Sequence, residues 1–314
     1  MDDTKTMNKK IHHIAVIITC FNRCKLTVAS LAALYASKDR FNRNHTDEEI
    51  VLTLFLTDDG CTDGTAETVL ATFPSEDIQI QQGNGSLYWA GGMRKAWGAA
   101  IKKNEEWDYY ILLNDDTLCK EFAFDELLNT QRIIKEKHGK EGIVSGVCES
   151  TDGKEITYGA EYYTKPLIGK SLIMTPTGKP EPCYRTNANI VLVSKDVVTK
   201  IGIFDDDFIH SCADWAYGIK ANKHGFPVYI TGRPCAVCDN DHGTVSNEAE
   251  KVMQMSLSER KAFFSHPLRA TSDKLTFMKR YYKEKYLILL LARTLAVYVP
   301  SLYYKLLLAR PMKK

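Results

Sequence analysis

Short apolar, β-branched runs, each closed by polar turn residues, recur through the first 240 or so positions. Ile14 to Thr19 (IAVIIT) reads as a buried strand, closed by Cys20, Phe21, Asn22 and Arg23. Leu26 to Ala36 then places Leu26, Ala29, Leu31, Ala33 and Leu34 at helical spacing. That β–turn–α opening predicts a mixed, mainly parallel α/β sheet flanked by helices. Residues 39–49 are polar and predict a loop. Val51 to Thr57 (VLTLFLT) predicts the second strand, and Ile78 and Ile80 mark a weaker third. A helix is expected from Met93 to Lys103, with Trp97 and Ala100 facing the core. Tyr109 to Leu113 is a fully apolar strand, and Phe122 to Lys137 an amphipathic helix. Ile143 to Val147, Thr186 to Val193 and Phe226 to Ile230 predict the remaining strands, with a short helix opening at Ser194 to Asp196. Residues 150–182, rich in Gly, Pro, Thr and Lys, predict a meander or an excursion over a site.

The chemistry sits where these strands end. Tyr109 to Leu113 runs straight into Asn114, Asp115 and Asp116. Adjacent carboxylates at the end of a buried strand are paired, hydrogen-bonded or bound to a cation, because desolvating them bare is costly. Their oxygens suit Mg²⁺ or Mn²⁺, which in turn bind phosphate; an Asp-rich turn is the plainer alternative. The second strand also ends in acids, Asp58 and Asp59. On one sheet both sets share a rim, where carboxylates accept hydrogen bonds from ribose or base, unless Asp58 and Asp59 only form a turn and cap a helix. In QQGNGSLYWAGG, Gly91 and Gly92 lead into the Met93 helix, so that their amides approach a phosphate, with Arg94 or Lys95 adding charge. Asp214 falls in the first turn of a helix that stops at His224-Gly225. The helix dipole keeps such a carboxylate ionised, as a base or simply as a cap. Asn187 and Asn189 read as turn residues. Cys235 and Cys238, with His242 four residues on, form at most half a zinc site. Buried thiols beside a separate functional His242, a third metal ligand next to Asp116, is the better reading.

Composition narrows the classes. A net charge of +2 over 314 residues carries no nucleic-acid footprint. The turn after the first strand has no GxGxxG, which argues against a dinucleotide fold. Nine cysteines without a framework spacing, and a polar N-terminal stretch without a secretory signal, predict free thiols in the cytoplasm. Tyr286 to Ala309 is apolar but interrupted by Arg293, Pro300 and Lys305, short of the ~20 residues that span a bilayer. Lys279, Arg280, Lys283 and Lys285 precede it, and Arg310, Lys313 and Lys314 follow. The pattern predicts peripheral contact of residues 279–314 with an anionic membrane, at the inner face of the cell membrane. A helical cap or a homodimer interface is the rival.

Taken together, VIITCFNR, FLTDDGCTDGT, GNGSLYWAGGMRKAW, ILLNDDT and FDDDFIHSCADWAYGIKANKHGFPV make the chain resemble the family 2 inverting glycosyltransferases of GT-A fold. It is most similar to the rhamnosyl- and galactofuranosyl-transferase type of bacterial surface-polysaccharide pathways. The resemblance implies a catalytic domain over residues 1–245, with a nucleotide-sugar half at about 11–120 and an acceptor half at about 121–245, followed by a helical region, 246–314. It implies a UDP- or TDP-sugar donor, a saccharide or lipid-linked acceptor, and Mn²⁺ or Mg²⁺. Thr19 and Asp58, with Asp59 beside it, would hold the base or ribose, and Asn22, Arg23 and Asn114 would belong to the same nucleotide-sugar-binding set. Gly91 and Gly92 would border the diphosphate, Asp115 the ribose. Asp116 and His242 would ligate the metal, and Asp214 would be the base. Asn114 replaces the first acid of the usual Asp-x-Asp, and Ala213 stands where many members carry Glu. Two other classes share features of this pattern. A sugar-nucleotide nucleotidyltransferase needs a basic Gly-rich loop after the first strand, and ITCFNRCK lacks its glycines. A catalytically silent partner of the same fold would have no use for Asp116, Asp214 and His242.

Overall fold

The computed structural model describes residues 9–103, 106–165, 171–240 and 245–308. Strands and helices first alternate: β1 (Lys10–Cys20), α1 (Cys24–Asn44), β2 (Glu48–Asp58), α2 (Thr65–Thr72), β3 (Asp77–Gln82), α3 (Tyr88–Lys102), β4 (Tyr109–Leu113). Next come β5 (Leu118–Cys119), α4 (Ala123–His138), β6 (Ile143–Glu149), β7 (Ile156–Tyr158), β8 (Ala160–Tyr163), β9 (Ser171–Ile173), β10 (Glu181–Pro182) and β11 (Arg185–Thr186). β12 (Ile190–Ser194), α5 (Lys195–Ile201), α6 (Ala213–Lys223) and β13 (Val228–Val237) complete the α/β part. Five helices follow: α7 (Val245–Gln254), α8 (Leu257–Ser265), α9 (Thr271–Tyr281), α10 (Lys283–Tyr298) and α11 (Pro300–Leu308).

The central sheet runs β10-β13-β6-β12-β4-β1-β2-β3. β4, β1, β2 and β3 are mutually parallel, so their C-terminal ends share one rim; Cys20 lies opposite Asp58 and Ile17 opposite Leu112. β12 runs antiparallel between β4 and β6. The unbroken apolar run of β1 has a simple cause: both faces are covered. Ile14, Val16 and Ile18 pack with Leu31, Leu34 and Phe124, on the side of α1 and α4. Ala15 and Ile17 belong to the other cluster, with Met93, Trp97, Tyr217 and Phe208.

Several elements depart from the sequence expectation. α1 continues to Asn44 through the expected loop, because Phe41 is buried and the Asn42 amide bonds both Ile50 N (2.8 Å) and Ile50 O (2.9 Å), tying the helix end to β2. The stretch 186–193 is not one strand. Arg185–Thr186 joins a small sheet with β8 and β9, and Ile190–Ser194 joins the central one. β13 runs on to Val237 through two register shifts, so Cys235 lies inside a strand. α3 begins at Tyr88, five residues before the expected Met93. Gly91 and Gly92 therefore lie inside the helix, not in a loop ahead of it.

Gly92 is required by contact. A Cβ there would stand 2.1 Å from the Thr19 hydroxyl. Gly98, farther along the same helix, has nothing within 4 Å of its Cβ position. Gly92→Ala should therefore lower stability by about 1–3 kcal/mol through overpacking. Gly98→Ala should raise it by roughly 0.5–1 kcal/mol, since Ala is the better helix residue. Thermal melts of the two variants check the opposite signs.

The C-terminal helices form their own cluster, including Val252, Phe264, Ala296 and Tyr304. α9 also joins the main body: Phe277 is fully buried in the large core, against Trp215 at a 5.5 Å centroid distance. Burial of such a ring stabilises by about 1.5–3 kcal/mol.

Candidate active site

Above the shared rim lies a cleft of about 270 Å³. Thr19, Phe21 and Arg23 border it from the end of β1, Asp59 from β2, Tyr88 and Trp89 from the start of α3, and Asp115 from β4. Its other wall is His210 and Leu268.

Arg23 spans the two β4 carboxylates. Its guanidinium lies 3.0 Å from Asp115 Oδ1 and 2.7 Å from Asp116 Oδ2. Asp115 is buried, and burial pushes its carboxyl up to about 7 against the pull of Arg23, with Asp116 adding to the rise. Asp116 is more open, and the Cys238 thiol reaches its other oxygen at 3.6 Å. Asn114 does something different: its side-chain oxygen accepts the indole N–H of Trp89 at 2.8 Å, which fixes one wall of the cleft.

The β2 acids are largely occupied by the protein itself. Asp58 Oδ1 accepts the Cys61 amide at 2.6 Å. Asp59 accepts four amides, from Asn84, Gly85, Leu87 and Tyr88, and so moulds the loop that opens α3. Asn22 is in the left-handed region (φ 52°) and accepts the Thr62 amide at 2.7 Å, joining the β1 and β2 turns. Thr19 lies beneath Gly92. The expectation that the Gly91-Gly92 amides face a phosphate needs correction at Gly91. Its amide, like that of Ala90, donates to Ile209 O, because the loop before α6 closes over the start of α3.

Asp214 sits in the first turn of α6, as the spacing predicted. Oδ2 accepts the Ala188 amide at 3.0 Å and Oδ1 the Trp215 amide at 2.9 Å. Each oxygen keeps a lone pair. Burial pushes the carboxyl up to about 6, against those two amides. One residue beyond Ala188, the Asn189 carbonyl accepts the Asn114 amide at 3.0 Å. The base candidate and the β4 carboxylates are thus joined through a short stretch of backbone at the same rim.

The loop between α5 and α6 holds the site together through partners far away in the chain. Asp273, in the first turn of α9, accepts the amides of Ile209 (3.1 Å), His210 (2.8 Å) and Ser211 (2.8 Å). Arg280, two turns on, pairs with Asp205 at 2.6 Å and with Asp207. Arg94 donates to the Phe208 carbonyl at 2.6 Å. Three non-glycine residues with positive φ, Asn22, Tyr88 and Cys212, lie on the segments around the cleft. Such conformations cost on the order of 1 kcal/mol each and cluster where backbone placement matters. His210 and Tyr88, to which sequence reasoning gave no role, face each other at a 6.3 Å centroid distance. Burial lowers the His210 pKa below its ordinary value.

Among the described residues no group of three or more His, Cys, Asp and Glu side chains converges as a metal site. His242 lies outside the described residues. The donor chemistry at β4 nevertheless fits a hard cation of Mg²⁺ type, which is commonly held by one or two carboxylates with substrate phosphates completing its shell. The Cys235 and Cys238 thiols are free and buried, and burial holds both up at about 12, away from the thiolate a zinc ion needs.

No protein-family model matches the chain, and no curated protein matches it in sequence. Among solved structures it is similar to a crystal structure of S. aureus TarS 1–349, at 11% identity and a TM-score of 0.49, over 82% of this chain and 68% of that one. The same fragment in complex with UDP-GlcNAc gives 11% identity and 0.49, over 86% and 73%. In complex with UDP it gives 13% and 0.48, over 86% and 72%.

Proposed function

We propose that the protein is a glycosyltransferase that uses a nucleoside-diphosphate sugar and inverts the anomeric centre. The observation that carries this reading is the rim itself. A cleft with aromatic walls ends at paired carboxylates and an arginine, and a carboxyl poised near 6 stands beside them on a helix N-terminus. Ligands of open α/β sheets bind at such rims. The base and ribose enter the cleft between Phe21, Tyr88 and Trp89, with Thr19 on its lining and Asp58 at the end of the neighbouring strand. Asp59 acts by shaping the loop. Asp116, with Asp115 beside it, would hold Mn²⁺ or Mg²⁺. When bound, that ion supplies positive charge for the departing diphosphate. Asp214 takes the proton of an acceptor hydroxyl, and the oxygen attacks the anomeric carbon as the bond to the diphosphate breaks. A single carboxylate base, with Asp115 and Asp116 tied to Arg23, suits one displacement and inversion. The donor reading is tested by calorimetric titration with UDP and TDP, with Mn²⁺ and with EDTA. Binding strengthened by the metal is expected, and Asp116→Asn should weaken it by roughly tenfold, about 1.4 kcal/mol. Absence of nucleotide binding with or without metal would overturn the reading.

We also propose that α10 and α11 rest on an anionic lipid surface, which suits a lipid-linked acceptor of the bacterial surface-polysaccharide kind. Leu287, Leu291, Tyr298, Leu302 and Leu306 are exposed there, 43–65% each. Residues 279–314 carry nine Lys or Arg and one acid, Glu284, in a chain whose net charge is only +2. Charge so segregated selects anionic headgroups. No helix among the described residues is long and apolar enough to cross a membrane, so the contact is interfacial. Sedimentation with phosphatidylglycerol vesicles, but not with phosphatidylcholine alone, is expected. Leu287→Asp with Leu291→Asp should abolish it. A vesicle-free dimer dissociated by the same substitutions would assign the face to a second copy instead.

A further inference from the structure

A second cavity, of about 500 Å³, shares no lining residue with the first cleft. The small sheet and the α9–α10 junction build it. Tyr162 and Tyr163 come from β8, Tyr184 from the segment before β11, and Tyr282 from the junction. Tyr184 is 67% exposed and Tyr162 48%, while Tyr163 and Tyr282 meet edge to face at 4.9 Å. Glu161, Thr164, Lys165, Arg185 and Glu284 add polar groups of both signs. Arg185 is fully buried, its guanidinium held between the rings of Tyr163 (4.0 Å) and Trp215 (4.8 Å). It pairs with Glu161 at 3.3 Å, and Asn187 donates to the same carboxylate at 3.2 Å. Arg185 Nη1 and Asn187 Oδ1 are buried and find no partner among the described residues.

We propose that this cavity binds the acceptor saccharide, a reading that rests on the transferase function proposed above. The chemistry selects a sugar. Tyrosine rings offer flat apolar faces to the C–H face of a pyranose. Carboxylates with an arginine offer the paired acceptors and donors that neighbouring hydroxyls need. The wall of the cavity is also joined to the start of the helix that carries the base. Arg185 stacks on Trp215, the residue after Asp214; Thr186 donates to the Asp214 carbonyl at 3.1 Å; and the charge of Glu161 is felt at Asp214. A sugar lying on Tyr184 and Tyr162 therefore rests on the same Arg185 wall that packs against the first turn of α6, the turn that carries Asp214.

The test uses saturation-transfer NMR on the full chain with octyl glycosides of glucose, galactose, N-acetylglucosamine and rhamnose, and with UDP in parallel. At least one glycoside should show saturated ring protons. Tyr184→Ala should weaken that binding roughly tenfold, and Tyr184→Trp should retain it. UDP binding should be the same in all three proteins and reports that each is folded. Tyr162→Ala gives an independent second truncation and should also weaken binding. Wild-type protein that saturates no ring proton, or variants that bind as wild type does, would overturn the proposal. Glycosides bound at Tyr184 by a protein that ignores UDP would support the saccharide pocket and remove the transferase reading.

Discussion

Asp214→Asn should lower transfer by about a thousandfold while leaving UDP or TDP binding unchanged, because a positioned base contributes on the order of 10²–10⁴ to such a step. Asparagine keeps one oxygen for the Ala188 or Trp215 amide and leaves the other amide unpaired, so a stability loss of about 1–3 kcal/mol accompanies the change. What it loses is the ability to accept a proton. The pH dependence follows from the same burial. The base works only when ionised, and its carboxyl lies at about 6. In the wild type kcat/KM should therefore be low in acid, rise with pH through about 6, and level off above it. The residual activity of the variant should lack that limb. Initial rates across pH 4.5 to 8.5, with nucleotide titrations alongside, check both parts. Wild-type turnover by Asp214→Asn would remove the base from the mechanism.

Asp273→Ala should destabilise the protein and disable the site together. The carboxylate is almost fully buried and accepts three backbone amides. Alanine leaves all three unpaired, at about 1–3 kcal/mol for each buried group. A fall of roughly 5–10 °C in Tm is expected, the lower end if water enters the gap. The amides belong to Ile209, His210 and Ser211, and the Ile209 carbonyl takes up the first amides of α3. Loosening that loop displaces the His210 wall of the cleft and the start of α6 that carries Asp214. Activity measured well below the new Tm should therefore drop at least about tenfold, since small misplacements of reacting groups are costly. A variant that melts early but turns over normally would make Asp273 purely structural. One that does neither would make the C-terminal helices a separable appendage.

What the sequence made legible was governed by short-range pattern. β1 and β4 are buried on both faces, so their apolar runs stood out, and the acids that end β2 and β4 marked the rim. The first-turn position of Asp214 could be read from the Gly stop that closes α6. What could not be read depends on partners distant in the chain. The Asn42–Ile50 pairing that lengthens α1, and the contact with Thr19 that makes Gly92 a helix residue, have no local signature. Nor does Asp273, one acid in a stretch of scattered charge, until α9 brings it beneath three amides 62 to 64 positions earlier. Asp59 shows the opposite case. An acid that reads as a ligand contact is engaged by four amides of its own loop, and only the folded chain reveals them. Arg23 is similar: four residues past Thr19, it gave no hint that it would reach both β4 carboxylates.

Sugar transfer is best tested by offering the purified protein a panel of sugar nucleotides: TDP-rhamnose, UDP-galactose, UDP-galactofuranose and UDP-glucose. Each is supplied with Mn²⁺ and an octyl-glycoside acceptor, and scored for release of the nucleoside diphosphate and for glycosylated product. Turnover of one donor, lost with EDTA and with Asp214→Asn, is the predicted result. No release and no nucleotide binding with any donor would contradict it, and would leave a sugar-binding protein that carries the rim without the reaction.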